Sequence, residues 1–103
     1  MHIEISFGDV DASDSLRDRV ETSVNKALSH VASRITRVEA HLRDDNAGKP
    51  GTHDKRCVFE ARPAGHQPIA VEHQGEDLYQ VIDETAQKLG RAVRHKLEKA
   101  DAR

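Results

Sequence analysis

The chain has 103 residues, enough to enclose one hydrophobic core but too few for two, so a single domain over residues 1–103 is expected. Hydrophobic residues make up 36% of the chain and charged residues 33%, which predicts a thin core of aliphatic side chains. The formal net charge of −2 argues against a protein that coats nucleic acid through its overall charge.

The sequence also limits the compartment. No apolar run approaches the roughly 20 residues that a membrane span requires, and the N-terminus shows no basic and then apolar signal segment. A single cysteine, Cys57, cannot form an internal disulfide and fits a reducing compartment. We therefore expect a cytoplasmic protein with no membrane partner.

The first half of the chain predicts a strand, a helix and a second strand. Residues His2–Phe7 alternate between apolar and polar side chains, as in a half-buried strand. Ser13 is a suitable N-cap, and the helix after it is expected to run for about five turns. Its apolar stripe consists of Leu16, Val20, Val24, Leu28 and Val31. Alternation returns at Ile35–Arg43, which predicts the second strand.

The second half predicts two more strands and a long helix. Asp44–Lys55 is polar and without periodicity, so an exposed, mobile loop is expected there. Arg56–Arg62 and Pro68–Gln74 alternate around a turn at Pro63–Gln67, which predicts a meander with the second strand.

The last helix is predicted to begin at Asp77, which with Gln80 has the spacing of a capping box. Its apolar stripe consists of Leu78, Ile82, Ala86, Leu89, Val93 and Leu97. Gly90 is expected to be its weak point, at a cost of roughly 1 kcal/mol relative to alanine. Tyr79 lies beside the stripe, so it is expected to be partly in the core, although base stacking is the alternative.

The predicted order β-α-β-β-β-α belongs to the α+β class, with both helices packed on one face of a four-stranded sheet. The other face is open to solvent or to a partner. It would carry arginines interleaved with glutamates, the arginines being Arg37, Arg43, Arg56 and Arg62. Cross-strand pairing with Glu39 and Glu60 would explain these arginines without any ligand.

Basic side chains are concentrated in the last helix. The set consists of Lys88, Arg91, Arg94, His95, Lys96 and Lys99, and several of them share the side of the helix away from the apolar stripe. A polyanion would meet this end of the chain. The alternative is an ordinary solvated helix surface whose cations are favoured by the helix dipole.

Patterns typical of cofactor or catalytic sites are missing from the sequence. No two histidines have the i, i+4 spacing of a helical zinc site, and the chain has no Cys-x-x-Cys pair, P-loop or nucleophile elbow. Cys57 is expected to be buried in the third strand. We therefore expect no metal, no cofactor, no small-molecule substrate and no enzymatic activity.

The last helix also carries the most specific resemblance. Its order of features is an acidic cap at Asp77, then Leu78-Tyr79, Ile82-Asp83, Lys88-Leu89 and a basic end at Arg94–Lys99. This order resembles the closing helix of the ribosome hibernation-promoting factor and ribosome-associated inhibitor A family, also known as sigma-54 modulation proteins. Ser13–Leu16 and Ile35–Val38 are similar to the corresponding parts of that family, so the resemblance spans nearly the whole chain.

The resemblance implies a short-form member of the family, with a fold like that of double-stranded-RNA-binding domains. It also implies a function, namely binding of the small ribosomal subunit and its 16S rRNA in the mRNA and tRNA channel, which silences idle ribosomes. RNA binding would then fall to the basic residues of the last helix and to the four arginines of the open sheet face. Off the ribosome, a monomer is expected.

A second hypothesis stays open. A diverged protein-protein adaptor or stress protein could keep this fold without binding the ribosome, using the open sheet face or the Asp44–Lys55 stretch. The near-neutral net charge and the mixed charges of the sheet face motivate it.

Overall fold

The structure, a computed structural model, describes residues 1–44 and 54–102. Its strands are β1 (His2–Phe7), β2 (Ile35–Asp44), β3 (Lys55–Pro63) and β4 (Ile69–Gly75), and its α-helices are α1 (Asp14–Leu28) and α2 (Leu78–Asp101). The predicted β-α-β-β-β-α order and the α+β class are confirmed. Positions 45–53, which make up most of the predicted mobile loop, lie outside the described residues.

The start of α1 is as predicted, but its end is not. The backbone N–H of Leu16 donates to Ser13 Oγ at 3.2 Å, as expected for an N-cap serine. The predicted five-turn helix is too long, because α1 ends at Leu28 and Ser29–Arg34 form a 3-10 helix. Leu28 and Val31 are three residues apart, a spacing that both helix types place on one side, so periodicity could not separate them.

The sheet has the strand order β1-β2-β3-β4. β1 pairs with β2 in parallel, while β2 with β3 and β3 with β4 pair antiparallel. β1 and β4 therefore run in the same direction, and so do the helices that follow them. As a result, α1 and α2 lie side by side and parallel on one face of the sheet.

The core fills the space between the helix pair and the sheet. The predicted inward residues of β2 and β3 are almost fully buried: Val38, Ala40, Leu42, Cys57, Phe59 and Ala61. Both helical stripes meet them, with Leu78 and Val31 only partly buried. The expectation for Tyr79 was wrong, because 36% of its surface is exposed. It is the second residue of α2, after Leu78, and it is not among the side chains that pack against the core.

The predicted helix cap at Asp77 and the predicted turn at Pro63–Gln67 are confirmed. The Asp77 carboxylate caps α2, where it accepts from the backbone N–H of Tyr79 at 3.0 Å. The turn between β3 and β4 is closed by the N–H of His66, which donates to the Pro63 carbonyl at 3.2 Å. Gly65 in this turn has φ 78°, a left-handed conformation that favours glycine.

Gly90 has a role that helix propensity alone did not predict. It is buried in the middle of α2, where a Cβ would lie 2.9 Å from the carbonyl oxygen of Ala27 and 3.3 Å from the Ala27 Cβ. The backbones of α1 and α2 thus approach each other closely at this point. Glycine has a low helix propensity, but because it lacks a Cβ it allows the two helices to pack this closely.

Within residues 1–44 and 54–102, no helix is long and apolar enough to cross a membrane.

Replacing Gly90 with alanine should destabilise the protein, although alanine is the better helix former. The new Cβ meets backbone on the neighbouring helix, and overpacking of this kind costs about 1 to 3 kcal/mol, more than the roughly 1 kcal/mol gained from propensity. Urea denaturation measures the difference. Ala92→Gly on the same helix is the reference for an ordinary alanine-glycine exchange. A Gly90→Ala protein more stable than wild type would show that the helices separate without cost.

Candidate nucleic-acid interface

The open face of the sheet carries the arginines that the sequence placed there. Cross-strand partners in the register are Arg37 with Arg62, Glu39 with Glu60 next to them, and Arg43 with Arg56 one pair further on, beyond His41 and Val58. These charged side chains of β2 and β3 therefore lie opposite residues of the same charge. Like charges face each other directly, and the opposite charges lie on the diagonals and along each strand.

The arginines of this face are engaged by glutamates. Arg37 Nη2 lies 3.1 Å from Glu4 Oε2 and 3.0 Å from Glu39 Oε2. Arg62 Nη2 lies 3.3 Å from Glu39 Oε2 and 3.1 Å from Glu60 Oε1. Arg56 lies 3.7 Å from Glu72. The cross-strand pairing considered from the sequence is thus present, and the positive charge of the sheet is largely compensated within the protein.

A groove of about 600 Å³ runs between α1 and α2 on the side away from the sheet. Its floor is the close contact of Ala27 with Gly90. Each helix contributes a stripe with the spacing of one helix face. The charged and polar lining consists of Arg19, Ser23, Lys26 and His30 from α1 and the residues after it, and of Asp83, Gln87, Arg91 and Arg94 from α2.

The two ends of this groove differ in charge. Asp83 is the one carboxylate among its lining residues, and it is engaged by Arg19. Lys26, Arg91 and Arg94 form no ion pair with any carboxylate of the described chain. Arg94 instead donates from Nε to His30 Nε2 at 3.4 Å, so His30 is an acceptor there. The half of the groove from Lys26 to Arg94 therefore carries uncompensated positive charge.

The other end of the groove is a fixed polar cluster. Arg19 donates from Nε and Nη2 to the two carboxylate oxygens of Asp83 at 2.9 and 2.8 Å, and Ser23 Oγ donates to Asp83 Oδ1 at 2.6 Å. The hydrogen bonds from Arg19 hold the pKa of Asp83 below its usual value against the effect of partial burial, and Ser23 adds to them. A bidentate arginine-carboxylate pair has well-defined geometry, so the Arg19 side chain is held in one orientation.

The rest of the predicted basic set is divided between two places. His95, Lys96 and Lys99 line a shallow depression of about 800 Å³ on the other side of α2, together with His66 of the β3–β4 turn. Lys88 Nζ donates to the backbone carbonyl of Glu72 on β4 at 3.1 Å, which ties α2 to the strand at the edge of the sheet. The structure thus places only Arg91 and Arg94 of this set in the groove between the helices.

The α1 side of the groove was missed by the sequence analysis. Arg19 and Lys26 are seven residues apart and share one flank of α1, and His30 follows four residues later in the 3-10 helix. That signal was available in the sequence. What the sequence could not show is that this flank lies beside Arg91 and Arg94, because the pairing of two distant helices is a tertiary contact.

A metal or nucleophile site does not emerge from the described part of the chain. No group of three or more histidine, cysteine or acidic side chains is placed to hold a metal ion within residues 1–44 and 54–102. Cys57 is fully buried in β3, and burial raises the pKa of its thiol to about 12, with a hydrogen bond involving Thr85 opposing part of the effect.

Comparison with known proteins agrees with this fold. The sequence model of the family described as "Sigma 54 modulation protein / S30EA ribosomal protein" matches residues 3–101. A ribosomal subunit interface protein from Coxiella burnetii is similar in structure, with a TM-score of 0.77 at 19% identity, covering 94% of this chain and 99% of that one. The N-terminal domain of Thermus thermophilus Protein Y gives 0.73 at 23% identity, covering 92% and 98%. Among curated protein sequences, nothing matches.

Stability should depend on pH through Asp83. Because the pKa of this carboxyl is lower in the folded than in the unfolded protein, the pair with Arg19 stabilises the fold above the unfolded value near 3.8 and is lost as pH falls through the folded value. Asp83→Asn should therefore cost about 0.5 to 1 kcal/mol near neutral pH, a small figure because both side chains are partly exposed, and less near pH 2, below the unfolded value. Urea denaturation at both pH values measures this.

Asp18→Asn, a change at an exposed residue of α1, is the matched control and should have little effect at either pH. An equal loss of stability for Asp83→Asn at both pH values would contradict an electrostatic origin.

Cys57 should be unreactive in the native protein. Its thiol is buried, so an alkylating reagent cannot reach it, and it stays protonated near neutral pH, so the reactive thiolate does not form. Iodoacetamide at pH 8 should leave the native chain unmodified and label it fully in urea, as read by mass spectrometry. Rapid labelling of the folded protein would mean that β3 opens readily.

Proposed function

Because the chain belongs to the sigma 54 modulation protein / S30EA ribosomal protein family, we propose that it is a ribosome-associated translation inhibitor, a hibernation factor. It binds the small ribosomal subunit through 16S rRNA, in the channel that mRNA and tRNA occupy. The observation that carries the RNA-binding part is the groove between α1 and α2 with its uncompensated cations.

Ribosome association rests on the family match over residues 3–101. The similar Coxiella burnetii protein is described as a ribosomal subunit interface protein, which supports a place on the ribosome for this chain as well. A protein of this kind acts in the cytoplasm. The choice of the small subunit and of the mRNA and tRNA channel is the finer part of the proposal.

The charge distribution fits RNA recognition by phosphate contacts. Structured RNA is bound largely through its shape and its phosphates, and lysine and arginine side chains supply the contacts without reading bases. In the groove, Lys26, Arg91 and Arg94 offer positive charge that forms no ion pair with a carboxylate of the described chain. His95, Lys96 and Lys99 extend this surface around α2 toward the β3–β4 turn.

The open sheet face contributes less in this proposal than the sequence alone suggested. Arg37, Arg56 and Arg62 already pair with glutamates, so a phosphate would have to compete with those pairs. Arg43 completes the predicted set at the exposed end of β2. We assign the first contacts with RNA to the helical side and secondary contacts to the sheet.

Inhibition in this proposal is steric. A folded domain that occupies the mRNA and tRNA channel excludes both ligands without any reaction, so affinity alone sets the degree of silencing. The net charge of −2 gives no general attraction to RNA, and binding depends on the local cations and on salt.

The second candidate is a protein-protein adaptor of the same fold, and the sheet face favours it. Its internally paired charges would cost less to bring against another protein than unpaired cations would. In that case, changes in the helical groove should leave partner binding intact.

Co-sedimentation with purified small subunits over a salt series tests the proposal. Replacing Lys26, Arg91 and Arg94 with glutamine should weaken binding at low salt and reduce the slope of log affinity against log salt by about 2 to 3, as phosphate contacts are lost. The matched control replaces Arg37, Arg43 and Arg62 with glutamine. It removes the same charge from the sheet face and should change the slope less.

Failure of the wild-type protein to co-sediment even at low salt would overturn ribosome binding. Equal slopes for the groove triple and the wild type would show that the phosphate contacts lie outside the groove.

A further inference from the structure

Tyr79 is an exposed aromatic residue at the start of α2. It keeps 36% of its surface exposed, and Met1 is the one other large hydrophobic residue exposed in the described part of the chain. Its ring is not part of the core, whereas Val81 and Ile82, two and three residues further on, are buried in it. An exposed ring at an ordered helix start is available for contact with a partner.

The structure holds this ring beside a fixed cation. The Arg19 guanidinium lies over the Tyr79 ring at 5.5 Å from its centroid. Arg19 itself is oriented by its two hydrogen bonds to Asp83, and Ser23 holds Asp83 in turn. Four side chains from α1 and α2 therefore form one preorganised unit, which we call the Tyr79 clamp: Arg19, Ser23, Tyr79 and Asp83.

The Tyr79 clamp lies at one end of the basic groove. Arg19, Ser23 and Asp83 line that groove, and Lys26 is seven residues beyond Arg19, or about 10 Å along α1 at 1.5 Å per residue. Arg91 is similarly placed, eight residues beyond Asp83 on α2. An aromatic platform and uncompensated cations are thus arranged along one line, within the span of a few nucleotides.

We propose that Tyr79 stacks on an unpaired nucleobase of RNA whose backbone phosphates continue along the groove past Lys26 and Arg91. This inference rests on the proposed function and adds to it a contact with a base in a single-stranded segment. Proteins that bind single-stranded nucleic acid combine a cationic track with aromatic side chains in this way. The stack needs no particular base, because every base has a π-face.

A protein partner fits these groups less well. An acidic peptide could pair with Lys26 and Arg91, but the clamp offers it no complementary group, since Asp83 is already satisfied by Arg19 and Ser23. A nucleobase uses both the ring and the adjacent guanidinium, because arginine planes also stack on bases. The observations therefore favour RNA.

Competition co-sedimentation with small subunits tests the stack. Tyr79→Phe keeps the aromatic ring and should bind within about two-fold of wild type, whereas Tyr79→Leu should bind on the order of ten-fold more weakly. The salt slope should stay that of wild type for both variants, because stacking releases no counterions. Replacing Lys26 and Arg91 with glutamine should reduce the slope instead.

A spectroscopic measurement reads the same contact directly. Tyr79 is the one tyrosine of a chain without tryptophan, so tyrosine emission reports on this ring alone. Titration with an unstructured single-stranded hexaribonucleotide, corrected for absorption with free tyrosine amide, should quench the emission as RNA binds. Arg19→Gln, which frees the ring from the clamp, should weaken the quenching.

Three outcomes would overturn the inference: Tyr79→Leu binding small subunits as tightly as wild type, a reduced salt slope for that variant, or unchanged tyrosine emission while the hexaribonucleotide is bound. Each would leave ribosome binding by the wild-type protein standing. Failure of the wild type itself to bind small subunits would overturn the proposed function. Thermal unfolding of each variant verifies that the exposed position tolerates the change.

Discussion

The close approach of α1 and α2 at Ala27 and Gly90 is the contact on which the rest of the helical face depends. Because the backbones nearly touch there, the side chains that flank the contact are brought into one groove. A bulkier residue at position 90 would separate the helices, and the cations of α1 would no longer lie opposite those of α2. A position that costs helix propensity is thus the one that defines the basic groove.

The open sheet face and the groove between the helices differ in how far their positive charges are paired with carboxylates. On the sheet, arginines and glutamates alternate on neighbouring positions, so Glu39 alone pairs with both Arg37 and Arg62. In the groove, positive charges accumulate with one carboxylate, Asp83, whose two oxygens are both hydrogen-bonded to Arg19. A phosphate that approaches the groove meets free cations, and on the sheet it must first displace a carboxylate.

Most of the fold could be predicted from the sequence, because alternation along four strands and apolar stripes on two helices are local signals. The caps Ser13 and Asp77 were also readable, since each bonds to a backbone N–H two or three residues away. The end of α1 was not, because residues three apart fit both helix types. The exposure of Tyr79 was missed for a related reason. A helical wheel shows that a residue lies beside the apolar stripe, but whether the sheet extends far enough to cover that residue is a tertiary feature.

The candidate site was only half predictable, and the reason is tertiary. Which arginines are neutralised depends on strand register, and which cations meet across the groove depends on how α1 and α2 pair. The net charge of −2 averages over both faces and hides the difference between them. Since paired charges largely cancel beyond a short distance, the local potential of the groove depends on Lys26, Arg91 and Arg94, and a slightly acidic chain can still carry a basic surface.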